Sequence, residues 1–569
     1  MRSDRHSCQW CCCCLICNWV VFACATLPLM AQPRGPVVPN DHPAGDYRIE
    51  QINQMVGQVW EDYELKPSAE ATEGEWARRV FLDLIGRIPS VDELEEFLGD
   101  RNNDKKRKLV ERLMYDDRYT DEFARHWTTF WTNLLIGRTG GTENQSKISR
   151  EGMQKYLRDS FAREKPYDQM VRELITATGT TVPTADNFNG ATNFLIDKVE
   201  QEDAALATAA TSQLFLGLQV QCAQCHNHPF NDWKQQKYWE MNAFFRQTRA
   251  FDGMADGTMN AVPATLADQD FAGESRRNPN EAELYYELRN GLLSVAYPVF
   301  VDGQEIPRSG YVKVVNRREQ LADLVVGSPW FTKAIVNRMW GHFLGYGFTT
   351  PVDDLGPHNI PSHPDLLDYL ASEFASESFD LKSLMLWITL SKPYGLSSVR
   401  TKANQADDPQ LGESPKFSHF YIRQMEAEQL YESLLVATDV KPTGTYAQRE
   451  RIKSEWLQQF SQAFGNDEGQ EATSFNGTIT QVLTMFNGTM IRNAISTDEG
   501  SMLYQLAYSS ISEQKKIERL FLAGLSRKPN RNEQRLARLL ITAHPDNPVA
   551  GLADLWWVIL NTNEFIFNH

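Results

Sequence analysis

The chain has 569 residues, 42% of them hydrophobic and 23% charged, so it can bury the cores of more than one domain and is neither disordered nor collagen-like. With 57 Lys and Arg against 74 Asp and Glu, its net charge of -17 argues against a sequence-independent grip on nucleic acid or anionic lipid. Cysteine is spread unevenly: seven of the nine lie in the first 24 residues, and the others are Cys222 and Cys225.

In chain order, Arg2 and Arg5 precede an uncharged, mostly apolar run of 23 residues from Cys8 to Met30, the pattern of an export signal over residues 1–31. The run exceeds the usual apolar stretch of about 7 to 15 residues and approaches the roughly 20 that span a bilayer, so an uncleaved N-terminal anchor is the alternative to a released leader. Val21-Phe22-Ala23-Cys24 is a poor lipoprotein box because of bulky Phe22. Each version puts the body outside the cytoplasm, in the periplasm or cell envelope, touching a membrane only through this segment.

A Pro-rich tether over residues 32–46 leads into successive amphipathic patterns from 47 to 245. Thr120 is the expected N-cap of a helix carrying Phe123, Trp127, Phe130, Trp131 and Leu134, and Ala204 to Val220 and Asp232 to Phe245 read as further helices. Over residues 246–316 the helical period fails, and Ser294 to Val301 alternates as a short strand does. Residues 317–569 are helical again, through Gln320–Val326, Phe331–Leu344, Pro364–Phe374, Leu381–Leu390, Met425–Ala437 and a Trp-rich last helix from Leu552. The expected fold is mainly α, two helical domains joined by an irregular, partly β segment.

One internal echo appears at an offset of 440 residues, Arg79 falling over Arg519. In both copies a helix ends at Arg-x-Pro and a new one opens on a capping box, Ser90 with Glu93 and Asn530 with Glu533. Shared capping grammar and a true repeat both account for it, and neither implies a function.

The strongest chemical signal is Gln221-Cys222-Ala223-Gln224-Cys225-His226-Asn227-His228. Two thiols three positions apart lie about one helical turn from each other, where both can form thioethers with the vinyl groups of one haem while His226 offers its imidazole to the iron. Export suits this haem c reading. Three rivals stand beside it: a local disulfide or thiol redox pair of Cys222 and Cys225; a structural zinc held by them with His226 or His228; and a hydrolytic metal site of His226, His228 and Asp232. The zinc reading lacks a second Cys pair. For the far face of a haem iron the candidates are Met254 and Met259, in the Gly-rich stretch downstream, and His126, from the aromatic helix. His228 is too close in sequence to His226 to reach that face. Trp127, Trp131, Phe230, Trp233, Tyr238 and Trp239 could wall such a pocket, although aromatic stripes at helical spacing are usually core.

A second cluster follows Asn337-Arg338-Met339-Trp340-Gly341-His342, running from Asp353 and Asp354 through His358 to His363 and Asp365. It reads as an ordered loop stiffened by Pro351, Pro357 and Pro361, with Gly345 and Gly347 ending one helix and Ser362 and Asp365 capping the next, rather than as a metal or acid–base site.

Phe215 to Phe230, with Trp233 and Tyr238, resembles the hallmark of the planctomycete cytochrome-C-like domain of unknown function; Arg78 to Leu84, Ala124 to Trp127 and Lys165 to Asp168 resemble its upstream landmarks. Val336 to Trp340, Pro351 to Asp354, Pro361 to Pro364 and the ending Trp557 to His569 are similar to the domain of unknown function that habitually follows it. Asn227 and Asn231 stand where that family commonly has Asp. The resemblance implies an exported, helical two-domain protein and brings no established reaction. The functional expectation is a monohaem c-type redox or electron-transfer protein with redox or envelope protein partners. The alternative is a non-redox envelope binding or scaffold protein whose Cys/His knuckle is held by a disulfide or zinc.

Overall fold

Short polar residues ahead of apolar runs set many of the helix starts. In the computed structural model, which describes residues 44–143, 145–228, 233–253, 263–440, 444–461 and 494–569, α1 (Ala44–Asp62) is followed by α2 (Glu73–Ile85), opened by a capping box of Thr72 and Glu75. Gly86 ends α2 with φ 75°, a left-handed conformation that a Cβ disfavours. Ser90 and Glu93 form the expected box at the head of α3 (Val91–Gly99). After α4 (Lys105–Tyr115) comes α5 (Asp117–Ile136), where the expectation is corrected: Asp116 is the N-cap, accepting from the Arg118 N–H, and Thr120 lies inside the helix. The buried stripe begins at Tyr119, one turn before Phe123, so the helix must start earlier.

The mainly α expectation holds. α6 (Arg150–Ala162), α7 (Tyr167–Thr176), α8 (Ala205–Leu216) and α9 (Gln235–Asn242) complete the first helical stretch. The middle segment carries more β structure than its sequence announced. β1 (Gly179–Thr180), β2 (Thr248–Asp252) and β3 (Ala264–Asp268) form an antiparallel sheet in the order β1-β3-β2. β4 (Leu284–Glu287) pairs with β5 (Leu293–Ala296), so the strand expected over Ser294 to Val301 is shorter and starts one residue earlier. The C-terminal half supplies α10 (Arg317–Gly327), α11 (Pro329–Leu344), α12 (Pro364–Ser376), α13 (Leu381–Thr389), α14 (Ala427–Ala437) and α15 (Tyr446–Ser461), then helices at Met502–Tyr508, Glu513–Leu525, Arg531–Thr542 and Pro548–Leu560.

The residues from Gly45 onward pack as one unit. Its largest core joins Trp76, Trp127 and Phe215 from the first helical stretch to Trp340, Phe374 and Tyr394 from the second. Two pairs of adjacent arginines are buried in this packing, and most of their donors go to main-chain carbonyls. Arg78 donates to Gly524 O and Phe565 O, both at 2.7 Å, and Arg79 to Leu396 O at 3.0 Å, so α2 holds the end of the chain. Arg317 donates to Ala243 O at 2.9 Å, and Arg318 to Ile175 O and Ala177 O at 3.0 and 2.9 Å. Burial pushes Arg78 and Arg79 down to about 10, which leaves both charged at neutral pH, and the carbonyl bonds offset the lost hydration.

The echo recurs in space. Arg87 makes paired bonds to Glu93 (2.8 Å to each oxygen) and to Glu122 on α5 (3.0 and 2.8 Å). Arg527 does the same with Glu533 (2.8 and 2.7 Å) and with both oxygens of Glu564. The boxes of Ser90 and Asn530 recur with them.

Candidate functional site

The Cys-x-x-Cys-His segment follows α8. Gly217, in the left-handed region at φ 65°, ends that helix and lets another strand of chain come close: a Cβ on it would lie 2.8 Å from Leu355 Cδ1. After Val220 the chain makes a single 3-10 turn, Gln221–Gln224, so Cys222 and Cys225 sit at its start and just past its end. Both thiols are exposed and unbridged, and only Ala223 of the turn is buried.

The turn is fastened to the head of α9. Trp239 Nε1 and Gln235 Nε2 both donate to Gln224 O, at 3.1 and 3.2 Å. The Gln235 N–H donates to Asn227 Oδ1 at 3.0 Å, and the His228 N–H to Trp233 O at 2.7 Å. Asn227 thus has a backbone-anchoring task that an aspartate oxygen could also perform. Its carbonyl accepts from His226 Nδ1 at 2.7 Å. A carbonyl only accepts, so Nδ1 carries the proton, and in the neutral ring the lone pair is on Nε2.

The second cluster reaches this knuckle from the other half of the sequence. Gln213 Nε2 and Gln219 Nε2 donate to the two oxygens of Asp353, at 2.5 and 2.8 Å, and the Leu355 N–H donates to Gly217 O at 2.7 Å. The loop so fixed brings His358 against His228, with ring centroids 6.0 Å apart, while His358 Nε2 is bonded to Asp354 Oδ2 at 2.9 Å. Burial, and then the neighbouring His358, hold His228 below the usual histidine range; Asp354 acts in the opposite sense. His228 therefore favours the neutral form in which an imidazole can ligate. Sequence reasoning named each side of this contact but not the meeting, since Gln213 and Gln219 lie 140 and 134 residues from Asp353.

Other expected participants sit elsewhere. His126 is buried on α5 beside Trp127, its ring 6.1 Å from His342, and burial pushes it down to about 3. Trp127 packs against His342 and Phe343, and Trp131 against Tyr167, in the helical core. Met254, Met259, Phe230 and Asp232, like the leader over 1–31, lie outside the described residues. Gly345 ends α11 as expected, with φ 87°. The expected cap of Ser362 and Asp365 is corrected: Pro364 is the first residue of α12, so the N-cap is His363, and it has no side-chain cap bond. Ser362 Oγ instead meets His363 Nδ1 at 2.9 Å.

Among the described residues, no three His, Cys, Asp or Glu side chains gather as a metal-holding group, and no helix is long and apolar enough to cross a membrane. Residues 51–250 match the family model PSCyt2, described as a protein of unknown function (DUF1549), and residues 317–541 match PSD1, likewise described as a protein of unknown function (DUF1553). The first match contains the knuckle and the second contains the loop that meets it. No curated protein and no solved structure matches the chain.

Proposed function

We propose, for a chain that belongs to the proteins carrying PSCyt2 followed by PSD1, that it is an extracytoplasmic monohaem c-type electron-transfer protein. The observation that carries this reading is the exposed pair Cys222 and Cys225 beside a His226 whose Nδ1 proton is already committed to Asn227 O. A metal-ligating histidine commonly gives its other ring N–H to a carbonyl or carboxylate, which fixes the tautomer and raises the basicity of the ligating nitrogen. The donor set fits haem better than zinc: a porphyrin supplies four equatorial nitrogens, whereas zinc asks the chain for three or four ligands at one point. When bound, such a group supplies reversible one-electron exchange with a redox partner protein of the envelope.

The chain's own residues have distinct tasks in this reading. Cys222 and Cys225 would hold the group covalently. His226 Nε2 would be its ligating nitrogen, and the Asn227 carbonyl fixes that ring. Trp239 and Gln235, by holding Gln224 O, keep the turn in place when the group is loaded. The leader, whether cleaved or retained as an anchor, delivers the chain to the compartment where haem is attached to such motifs.

The test is expression of the mature chain with haem-maturation machinery, then a denaturing gel stained for peroxidase activity. A haem band in the wild type that disappears in the C222S/C225S double variant is expected. A wild type without a band, carrying stoichiometric zinc or a Cys222–Cys225 disulfide, would transfer the knuckle to a scaffold role.

A further inference from the structure

We propose that a cleft between the two halves of the chain, beside Arg87, binds a small organic carboxylate with an apolar body about the size of a benzene ring. α5 and α6 of the PSCyt2 half and α14 and α15 of the PSD1 half wall this cleft, whose volume is about 160 Å³. Four arginines line it: Arg87, Arg125, Arg158 and Arg449. Two of the three lining carboxylates are already committed to cations. Glu122 accepts from Arg87 with both oxygens, and Glu432 is shared between Lys453, at 3.0 Å, and Arg125, at 3.2 Å. The third, Asp121, is exposed to solvent.

That leaves two cations over. Among the described residues neither Arg158 nor Arg449 has a carboxylate partner, and the buried Nε of Arg449 has no hydrogen-bond partner at all. A guanidinium presents its donors as a planar fork that matches a carboxylate, and a buried N–H without an acceptor carries a desolvation cost that a bound anion removes. In a chain of net charge -17 these two free guanidiniums are a local exception. The rest of the wall fixes the class of anion. Leu435, Val436, Val440 and the ring of Tyr446, with Arg158 over it at 4.1 Å, offer apolar surface that an inorganic oxyanion would leave unused. A cavity of roughly 150 Å³ admits one benzene molecule, so the volume suits a single ring bearing one carboxylate. The site stands apart from the knuckle and does not depend on the haem reading.

The experiment is titration calorimetry of the full mature chain with benzoate, with benzamide as the uncharged analogue of the same shape and inorganic phosphate as an anion without an apolar body. Benzoate is expected to bind saturably, one per chain, and about tenfold or more tighter than either. Arg158→Ala and Arg449→Ala should each weaken benzoate by about tenfold, the loss of one charge-assisted contact. Val440→Trp, at an exposed position, keeps every cation and should abolish binding by filling the cleft; it carries the test if an arginine variant does not fold. A wild type that does not bind benzoate, or binds benzamide or phosphate as tightly, overturns the proposal, as does a benzoate affinity unchanged in the variants.

Discussion

The two Arg–Glu–Glu clamps use the same atoms for the same bonds and differ in where they stand. Arg87 leaves 7% of its side chain exposed and also borders the hydroxyl that Tyr119 donates to Glu93 at 2.9 Å, whereas Arg527 leaves 32% exposed. The Ser90 box lies at a buried junction, with Ile88 and Leu82 in a core shared with Leu430 and Leu520, and the Asn530 box opens on a largely exposed helix with Ala537 as its buried residue. Local grammar fixes the turn in both places. Its energetic weight is set by what surrounds it, because a charge pair screened by water contributes little and a buried one becomes costly to break.

The largest expected consequence is on the arginines. Arg87→Ala leaves Glu93 and Glu122 facing each other without their cation, and it should destabilise the fold by about 3 kcal/mol, the cost typical of removing one partner of a buried ion pair. Arg527→Ala should cost about 1 kcal/mol, the upper end for exposed pairs. Denaturant midpoints of the two variants measure the gap. Equal losses would mean that burial does not distinguish the clamps.

Acid sharpens the same contrast. Burial alone would raise Glu93, but the bonds from Arg87 and the Ser90 N–H outweigh it and hold the carboxyl down at about 2, below its ordinary 4.5. A carboxyl depressed in the folded state contributes stability above its unfolded pKa and loses it as pH falls through the folded one. The wild type should therefore exceed Glu93→Gln in stability by on the order of 2 to 3 kcal/mol at pH 7, with the margin closing between about pH 4.5 and 2. Glu533 is also depressed, chiefly by its Arg527 bond, so Glu533→Gln should show the same sign with a smaller margin. Urea titrations at several pH values would expose a reversed order.

What could be read along the chain, and what could not, follows the same division between local and distant partners. Capping boxes, Arg-x-Pro breaks and the expected helices of the C-terminal half depend on neighbours within a few residues, and they appear close to where the sequence puts them, although the last opens at Pro548, behind the Asn547 cap, and not at Leu552. Thr120 and Ser362 were misplaced as caps because each had a better-positioned competitor nearby, the Asp116 carboxylate in one case and the proline that shifts the N-cap to His363 in the other. The third member of each clamp was hidden: Glu122 and Glu564 are offset by 442 residues, not 440, so an ungapped comparison passes over them. At the candidate site the Cys-x-x-Cys-His motif was legible because its chemistry is local. The partners of Asp353 were not, since only folding brings Gln213 and Gln219 to it. Nothing local in the sequence discloses that Arg78 holds carbonyls 446 and 487 residues away.

The smallest effect, at Ser526, belongs to a last pair, the residues that end the first helix of each copy, Gly86 in one and Ser526 in the other, and here the comparison predicts opposite signs. Both residues are left-handed, at φ 75° and 54°. A side chain on Gly86 meets His126 Nδ1 at 2.5 Å in a packed interior, so Gly86→Ser should cost roughly 2 kcal/mol, combining left-handed strain with overpacking. Ser526 already bears the strain, and among the described residues its buried hydroxyl has no hydrogen-bond partner. Ser526→Gly relieves both, against the greater freedom that glycine gives the unfolded chain, for a net gain of about 0.5 kcal/mol. Melting temperatures would move down for the first variant and slightly up for the second. A loss in Ser526→Gly would show that the serine side chain supports its turn in a way the glycine of the first copy does not need, and the two helix ends would then be alike in conformation only.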